Sequence, residues 1–406
     1  MSEQTLAGLK VLDFCWVAVG PATTKYLSEY GATVVRVEST KRPESLRLAA
    51  PFKDGISGIN RSGYFANYNA NKYGITVDLG HPRARDLILR MATWADLVTE
   101  NFTPGMMERW RLGYPKLKEV NPQIIMFSTS MLGRGGTMDA QPGFGAVLSS
   151  LAGLTNITGW PDRGPVNPYG AYTDFIGPKF AVAAILSALD YRRRTGRGMH
   201  LDMSQLESSL HFTAPLLLDY AVNQREPELM GNRHPDIAPH GVYPCRGEDR
   251  WIAIACGNDE EWQSLCRAMG PTGEDLLREK RFATEPDRKA NEDELDRVIA
   301  QWTGDWEAAE LMTALQSFGV PAGKVNDCRD LFEDSQLRHR GHFQYLEHRE
   351  MGLYATDGSE MNLSETPGIL NRAAPMIGQD TEYVLREIIG VSEEEYQSLA
   401  AEGVLE

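Results

Sequence analysis

Strands and helices alternate along the first third of the chain, and this order restricts the fold more than any other feature of the sequence. An apolar, β-prone run at 10–15 precedes a helix-compatible stretch at 21–30 and an alternating strand at 33–38. The order recurs with strands at 75–78, 97–100 and 124–129 and helices at 81–95 and 104–119. Because strands joined by helices pair in parallel, the pattern predicts an α/β fold with a Rossmann-like, doubly wound parallel sheet.

The middle of the chain contains a Gly- and Pro-rich segment, 159–178, which predicts an ordered loop. The apolar stretch 180–189 that follows has little amphipathic periodicity, so we expect a helix buried between layers. A strand at 200–204 and an apolar helix at 206–222 come next.

From about residue 223 the sequence becomes charged and rich in turn residues, with a further strand predicted at 251–255. We assign 225–325 to a small α+β domain. The tail, with helices predicted at 382–389 and 393–401, is expected to pack back on the first part of the chain. The large domain is therefore predicted to comprise 1–224 and 326–406.

Acidic side chains outnumber basic ones, 56 Asp and Glu against 41 Lys and Arg, which gives a formal charge of −15. This sign argues against a nucleic-acid-binding protein, so local basic groups must meet any anionic ligand. No run approaches the roughly 20 apolar residues of a membrane helix, and the first ten residues lack a secretion-signal pattern. We expect a cytoplasmic protein without membrane contact. The five cysteines have no metal-site spacing, so reduced thiols and no metal site are predicted.

The first strand-to-helix turn, 16–21, tests whether the chain binds a nicotinamide dinucleotide. Glu38 ends the second strand, where a Rossmann site places an acid near the ribose. The turn lacks the three glycines that let a pyrophosphate approach the backbone. Gly20 and Pro21 are also explained as the start of a helix with Pro in its first turn. The sequence thus argues against nicotinamide binding.

Four segments in fixed order carry a resemblance to a known family: 9–21 with 31–38, 71–78, 100–114, and 195–202 with its Thr-Gly-Arg-Gly run. In these segments the chain resembles the class III CoA-transferases, a family that includes carnitine-CoA and formyl-CoA transferases and α-methylacyl-CoA racemases. The resemblance implies a large Rossmann-like domain built from both termini, a small domain, and two chains interlocked as a dimer. It implies an enzyme with acyl-CoA and a carboxylic acid as substrates and no permanently bound cofactor.

The family's catalytic aspartate matches Asp174, within the segment 172–178. The resemblance implies that Asp174 attacks a thioester and forms first an acyl-aspartyl anhydride and then an aspartyl-CoA thioester. Pro178 disfavours helical geometry at Gly177, so we expect Gly177 as the N-cap. Asp174 is then predicted to lie in the loop outside the helix, ionised beside its positive end. The alternative is that Asp174 only caps a turn or helix.

The resemblance also implies the residues that hold CoA. These are Val17, Ala18 and Val19 at the pantetheine and thioester end, Lys72 and Tyr73 beside the adenine or phosphates, and Asn101, Phe102 and Arg109 at the nucleotide and arm. A guanidinium with neighbouring amides suits phosphate recognition, although Arg109 and Lys72 could also be ordinary surface charges. The basic residues after the second strand, any of which could meet a diphosphate, are Arg36, Lys41, Arg42 and Arg47.

Two alternative functions remain open from the sequence. In a racemase, a His and an Asp move a proton at the α-carbon, but Phe144 occupies the position that matches the family's His. The second alternative is a CoA-binding subunit of a heteromeric transferase, so both a homodimer and a heteromer with a homologous subunit are considered. The presence of Asp174 favours an active chain.

The substrate is predicted only from the aromatic residues near the motifs. A pocket bounded by Trp16, Phe144, Tyr169, Tyr172 and Phe175 would suit a bulky or aryl-bearing acid, such as benzylsuccinate, with succinyl-CoA as the donor. Aromatic side chains are equally common in protein cores. Two histidines in 232–243, His234 and His240, could orient an acceptor carboxylate or serve a structural role.

Overall fold

The computed structural model describes residues 4–141 and 143–406, which divide into two units by their internal contacts. The larger unit contains the described chain up to Leu154, Asn167–Glu226 and Ser335–Glu406, and the smaller contains Thr155–Val166 and Pro227–Asp334. The domain limits predicted from the sequence are 1–224 with 326–406 for the large domain and 225–325 for the small domain. They remain a prediction.

The larger unit contains most of the helices and strands. Up to residue 226 they are β1 Lys10–Asp13, α1 Val19–Glu29, β2 Thr33–Glu38, α2 Gly63–Asn69, β3 Tyr73–Thr76, α3 Ala84–Trp94, β4 Leu97–Glu100, α4 Met106–Arg109, α5 Tyr114–Val120, β5 Ile125–Ser130, α6 Gly145–Leu151, α7 Thr173–Thr195, β6 His200–Ser204, α8 Gln205–Leu210 and α9 Ala214–Asn223.

The smaller unit and the tail provide the remaining elements. The smaller unit contains β7 His240–Pro244, β8 Trp251–Ala255, α10 Asp259–Met269, α11 Pro271–Arg278, α12 Glu285–Ala290, α13 Glu292–Thr303, α14 Ala308–Ser317, β9 Ala322–Lys324 and α15 Cys328–Glu333. The tail contains α16 Ser335–Arg340, β10 Phe343–His348, β11 Gly352–Asp357, α17 Thr381–Tyr383, a π-helical stretch Val384–Ile388, and α18 Glu393–Ala401.

A six-stranded parallel sheet in the order β3-β2-β1-β4-β5-β6 organises the larger unit. This is the strand order of a Rossmann-like, doubly wound fold, so the predicted fold class is confirmed. The order reverses between β1 and β4, which leaves a crevice at the carboxyl ends of these strands. In open parallel sheets, ligands bind at such a reversal.

Alternate residues of each strand pack into different helical layers. Val11 of β1 belongs to a core cluster with Leu27 of α1 and Ile185 of α7, whereas its neighbour Leu12 belongs to a cluster with Ile88 of α3. Residues of the tail, Val384, Leu385, Val391, Leu399 and Val404, complete the second cluster. The chain beyond residue 380 therefore forms part of the core of the larger unit.

Helix α7 differs from its predicted state in length and burial. It begins at Thr173 rather than near Gly177, and only one face, which includes Ala181 and Ile185, lies in the core. Phe180 remains 39% exposed, so the prediction that this helix is buried between layers is wrong for the single chain. Within the described residues, no helix has the length and apolar character needed to cross a bilayer.

The smaller unit contains a three-stranded antiparallel sheet in the order β7-β8-β9 and a helical layer. Its separate core is formed around Ile252, Trp262, Leu295 and Leu311, all of which are buried. Arg288 is fully buried, with its guanidinium bonded to Asp259 Oδ1 at 2.7 Å. An independent apolar core explains why this segment packs as a unit.

A glycine at the entry to β6 provides a test of the sheet packing. A Cβ atom at Gly198 would lie 1.9 Å from the carbonyl oxygen of Ile124, so we expect Gly198→Ala to lower the free energy of unfolding by about 2 kcal/mol or more. At Gly136 a Cβ meets nothing within 4 Å, and Gly136→Ala should stay within about 0.5 kcal/mol of the wild type. Denaturant unfolding measures both, and equal stabilities would contradict the packing.

Candidate active site

A cavity of about 310 Å³ opens at the carboxyl ends of β1, β4 and β5, where the strand order reverses. The segments that follow those strands form much of its wall, and α6, α7 and α8 contribute further side chains. The lining residues include Trp16, Val17, Ala18, Val19, Asn101, Phe102, Thr103, Ser130, Asp139, Phe144, Asp174 and Gln205. Six of the nine predicted site residues therefore meet in one cavity: Val17, Ala18, Val19, Asn101, Phe102 and Asp174.

Asp174 is a buried carboxylate without a partner. Its residue is 8% exposed, and no described side chain or backbone group bonds to its carboxyl oxygens. It does not cap α7, because the helix start shows no side-chain capping bond. Burial raises the pKa of the Asp174 carboxyl to about 7. The expectation of a fully ionised group is therefore corrected: loss of solvent outweighs the favourable helix end.

The position of Asp174 also differs from the prediction. Asp174 lies inside the first turn of α7, where its N–H donates to the Ala171 carbonyl at 2.9 Å. Pro178 does not begin the helix but lies within it, four residues after Asp174. Because Pro178 has no N–H, the carbonyl of Asp174 lacks its helical donor. Sequence reasoning failed here because it took Pro178 to mark the start of the helix, whereas α7 accommodates this proline in its second turn with the loss of one backbone hydrogen bond.

Asn101 holds the turn after β1 in place. Its side-chain oxygen accepts from the Trp16 N–H at 2.7 Å, and its amide nitrogen donates to the Trp16 carbonyl at 2.6 Å. Phe102 packs edge-on against Trp16 with ring centroids 5.7 Å apart. Asn101 thus ties the end of β4 to the end of β1, across the reversal of the strand order.

Three of the predicted CoA contacts lie away from the cavity lining: Lys72, Tyr73 and Arg109. Lys72 is fully buried and donates to the Pro21 carbonyl at 2.9 Å and to Asn69 Oδ1 at 3.0 Å. Tyr73 stacks on Tyr383 with centroids 5.6 Å apart. In this conformation Lys72 cannot reach a ligand, because its amine is enclosed by protein groups. Its placement does not support the predicted CoA contact.

The basic residues after β2 separate into two classes. Arg36 and Arg47 are fully buried in ion pairs, and Lys41 pairs with Asp78 at 2.9 Å. Arg42 is exposed, and so is Arg109 on α4. No bond to either guanidinium is found among the described residues, so both remain available to a phosphate.

Most of the predicted aromatic pocket does not form. Trp16 and Phe144 line the cavity with Asp174, whereas Tyr169 is fully exposed and Phe175 borders a different cavity. Tyr172 packs against another ring of the larger unit rather than lining the cavity. The prediction of an aromatic enclosure from all five residues is therefore wrong for the single chain.

His234 and His240 belong to the smaller unit, where both have local bonds. The Nδ1 atom of His234 accepts from the N–H groups of Asp236 and Ile237 at 3.1 and 3.3 Å. The Nδ1 atom of His240 lies 2.9 Å from the Asn232 carbonyl, to which it donates when protonated. These contacts shape the loop that contains both histidines.

Three contributors to the site went unrecognised in the sequence. The Ser130 hydroxyl lines the cavity, and it is buried without a partner among the described groups. Arg134 bridges Glu100 at 2.6 Å and Glu108 at 3.0 Å, and it thereby connects the loops after β4 and β5. Glu44 bonds to the backbone of the first turn. Only the position of Ser130 at a strand end could have signalled its role.

No group of three ligand-type side chains suited to a metal occurs in the part of the chain that the structure describes.

The sequence model of CoA-transferase family III matches residues 6–381. The chain belongs to this family. The resemblance carried by the four motifs is thereby confirmed, and the chain is a class III CoA-transferase. Such enzymes act on CoA thioesters.

Individual class III proteins align over nearly the whole chain. It is 30% identical to the succinyl-CoA–D-citramalate CoA-transferase of Chloroflexus aurantiacus, over 98% of each chain. It is also 30% identical to the succinate–glutarate CoA-transferase of Agrobacterium fabrum, over 94% of this chain and 95% of the relative. A crystal structure of a CaiB/BaiF family protein from Brucella suis superimposes with a TM-score of 0.86 at 30% identity, covering 95% of this chain and all of that one.

The burial of Asp174 predicts a stability change with a definite pH dependence. The folded-state pKa, about 7, lies above the unfolded value of about 3.9. The folded chain therefore binds the proton more tightly, and the stability that this provides is lost as the pH rises to about 7, by up to about 1.4 kcal/mol per pH unit. The neutral amide of the Asp174→Asn variant does not titrate, so the free energy of unfolding of this variant should not show this fall. We therefore expect the free energy of unfolding of Asp174→Asn, relative to that of wild type, to be about 2 kcal/mol higher at pH 8 than at pH 5.

Chemical denaturation of both proteins at the two pH values measures this difference. Asp190, exposed on the same helix, has its pKa lowered by bonds from Arg193 and Arg194, so Asp190→Asn should show no such gain. A constant difference between wild type and Asp174→Asn across the pH range would contradict the buried, unpaired state of Asp174.

Proposed function

We propose that this chain transfers CoA from succinyl-CoA to a dicarboxylic acid, with Asp174 as the covalent nucleophile. The observation that carries the proposal is the unpaired, 8% exposed carboxylate of Asp174 in a cavity at the sheet reversal. Both relatives are named for dicarboxylic acids, citramalate in one and glutarate in the other, which favours this class of acceptor. An aryl-substituted succinate belongs to the same class, and Trp16 and Phe144 leave an aromatic wall for it.

The transfer proceeds in four substitutions at carbonyl carbon. An Asp174 oxygen attacks the donor thioester, and the CoA thiolate leaves as an acyl-aspartyl anhydride forms. The thiolate then attacks the aspartyl carbonyl, which yields an aspartyl-CoA thioester and releases the donor acid. The acceptor carboxylate attacks this thioester, the CoA thiolate leaves, and an acceptor–aspartyl anhydride forms. The thiolate finally attacks the acceptor's carbonyl carbon in that anhydride, which yields the new acyl-CoA and releases the Asp174 carboxylate. No net proton transfer is required, so the site needs no general base.

Desolvation of Asp174 suits this chemistry. A carboxylate without hydrogen bonds or an ion pair keeps its electron pairs free for attack, and the limited exposure of Asp174 restrains hydrolysis of the anhydride. The turn after β1 is assigned to the pantetheine and thioester end of CoA, and Asn101 and Phe102 are assigned to its nucleotide and arm. The exposed guanidinium groups of Arg42 and Arg109 are assigned to its phosphates.

The surface of the larger unit supports a dimeric enzyme. Helices α7 and α9 and the adjoining segment expose several large apolar side chains, namely Phe180, Leu186, Phe212, Leu217, Leu218 and Val222. Such a group of exposed apolar residues is typical of an interaction surface. We assign it to a second copy of this chain, and a homologous subunit is the alternative. Transfer by the purified chain alone would exclude an obligatory heteromer.

Racemisation is the competing reaction on this fold. No histidine lines the cavity among its described residues, and Phe144 is 78% exposed at its edge. The Asp–His pair by which a racemase of this family moves the α-proton is therefore incomplete beside Asp174. Exchange of the α-proton of a 2-methylacyl-CoA with deuterated solvent, in the absence of an acceptor acid, would reveal a racemase.

The nucleophile is tested by substitution and by trapping. We expect Asp174→Asn to reduce CoA transfer by about a thousandfold or more, because the covalent intermediates cannot form. Asp139, the other carboxylate of the cavity, provides the control, and Asp139→Asn should stay within about threefold of wild type. Wild type quenched with succinyl-CoA should yield a peptide modified at Asp174 by mass spectrometry. Transfer retained in Asp174→Asn, or modification at another residue, would refute the assignment.

The phosphate contact of Arg109 is tested by kinetics. Arg109→Gln should raise the KM for acyl-CoA by about tenfold, because a charge-assisted bond is lost far from the reacting carbon, while kcat changes less than about twofold. Arg197 is the matched control. It is exposed and precedes the amino end of β6, whereas the cavity lies at the carboxyl ends of the strands. An unchanged KM in Arg109→Gln, or an equal effect of Arg197→Gln, would contradict the assignment.

A further inference from the structure

Val17, in the wall of the cavity, has an unfavourable backbone conformation. Its φ angle is 60°, in the left-handed region that β-branched residues rarely adopt. Such strain persists only where surrounding groups determine the conformation, and it is concentrated at functional sites. A glycine would adopt this angle freely, yet the chain has valine here.

Side chains bond to the polar backbone groups of residues 15–17, up to the N–H of this strained residue. Asn101 pairs with both the N–H and the carbonyl of Trp16, and the N–H of Val17 donates to Glu44 Oε1 at 2.6 Å. The carbonyl of Cys15 accepts from the Arg36 guanidinium at 2.7 Å. The turn is therefore held by groups that come from β2, the end of β4 and the loop after β2.

Glu44 and Arg36 form one unit beneath the turn. Both side chains are fully buried, and Glu44 Oε2 lies 2.7 Å from the Arg36 Nη2 atom. Glu44 Oε1 accepts from the Val17 N–H and, at 3.4 Å, from the Leu46 N–H, whereas Oε2 pairs with the guanidinium. Arg36 in turn bonds to Cys15, two residues before Val17. A buried charge is costly without a partner of opposite charge, so the two side chains hold each other in position.

A second ion pair, between Arg47 and Glu38, is buried to the same extent but makes different contacts. Arg47 Nη2 lies 2.6 Å from Glu38 Oε1, and both side chains are fully buried. This guanidinium also donates to the carbonyl of Pro375 at 3.0 Å. Neither Glu38 nor Arg47 bonds to residues 15–17 or lines the cavity. The two pairs differ mainly in their connection to the strained turn.

We propose that Glu44, supported by Arg36, is a positioning residue for CoA transfer: it holds Val17 in the left-handed conformation that shapes the cavity wall at residues 16–19. The inference rests on the proposed function, because it takes this cavity as the place of reaction. It adds a residue that does not contact the reacting atoms. Glu44 acts through the backbone of the turn, which forms part of the wall against which the substrate lies. Small displacements of a bound substrate cause large losses in rate.

Glu44→Gln tests the proposal with Glu38→Gln as its matched control. In Glu44→Gln an NH2 group replaces one of the two accepting oxygens. This donor then faces another donor, either the Val17 N–H or the Arg36 guanidinium, so one of the two bonds is lost. We expect kcat to fall about tenfold or more, whereas Glu38→Gln, with a similar loss in Tm, should retain kcat within about threefold. Equal losses of kcat in the two variants would overturn the proposal, because a general loss of stability would then explain both.

Val17→Gly provides a rescue that a merely structural role does not predict. Glycine adopts the left-handed angle without strain, so Val17→Gly should raise kcat about threefold or more in the Glu44→Gln background and give no gain in the Glu38→Gln background. Absence of rescue would overturn the proposal.

Hydrogen exchange of the Val17 amide provides a readout that needs no activity. It should accelerate at least about tenfold in Glu44→Gln and stay unchanged in Glu38→Gln, and unchanged protection in Glu44→Gln would also overturn the proposal. Because exchange is measured without substrates, a failure of the Asp174 assignment remains distinguishable from a failure of this one.

Discussion

The buried carboxylate of Asp13, at the end of β1, is the interaction on which the site depends. It accepts from the Cys15 N–H and from the hydroxyls of Thr24 and Thr99, and it lies 3.4 Å from the Lys72 amine. Burial alone would raise the pKa of Asp13, but Lys72, Arg36 and these bonds hold it below its usual value. Burial lowers the pKa of Lys72 to about 8, against the attraction of Asp13, so both groups are charged at neutral pH. One paired charge thus joins β1, α1, β4 and the start of β3.

The site is formed mainly where strands end, because the reversal of the strand order opens a crevice at that edge of the sheet. Asn101 closes the reversal between β1 and β4, and Glu44 approaches the same turn from the loop after β2. Asp174 comes from a helix that packs on the sheet, so its position is fixed by the core rather than by a mobile loop. Its burial raises the pKa of its carboxyl to about 7. Stability and reactivity therefore have opposite requirements at this residue.

Much of the fold could be predicted from local sequence patterns. The strands at 33–38, 97–100, 200–204 and 251–255 coincide with β2, β4, β6 and β8, because apolar alternation between turn residues has few other solutions. Asp174 was located only through the family motif, and its helical position was missed because Pro178 is accommodated inside α7. The state of Lys72, Arg36 and Glu44 could not be predicted, since a basic or acidic letter does not show whether its charge is buried and paired. Such pairs depend on three-dimensional contacts between segments that no local pattern connects.

The participation of the tail in the core of the larger unit has a consequence for biosynthesis. Val384, Leu399 and Val404 cover the same face of the sheet as Leu12 and Val35, which are translated more than three hundred residues earlier. During synthesis, this apolar face of the sheet therefore lacks its tail residues until the smaller unit has been translated. Completion of that layer thus follows synthesis of the smaller unit, and this incomplete intermediate is where chaperones would be expected to bind.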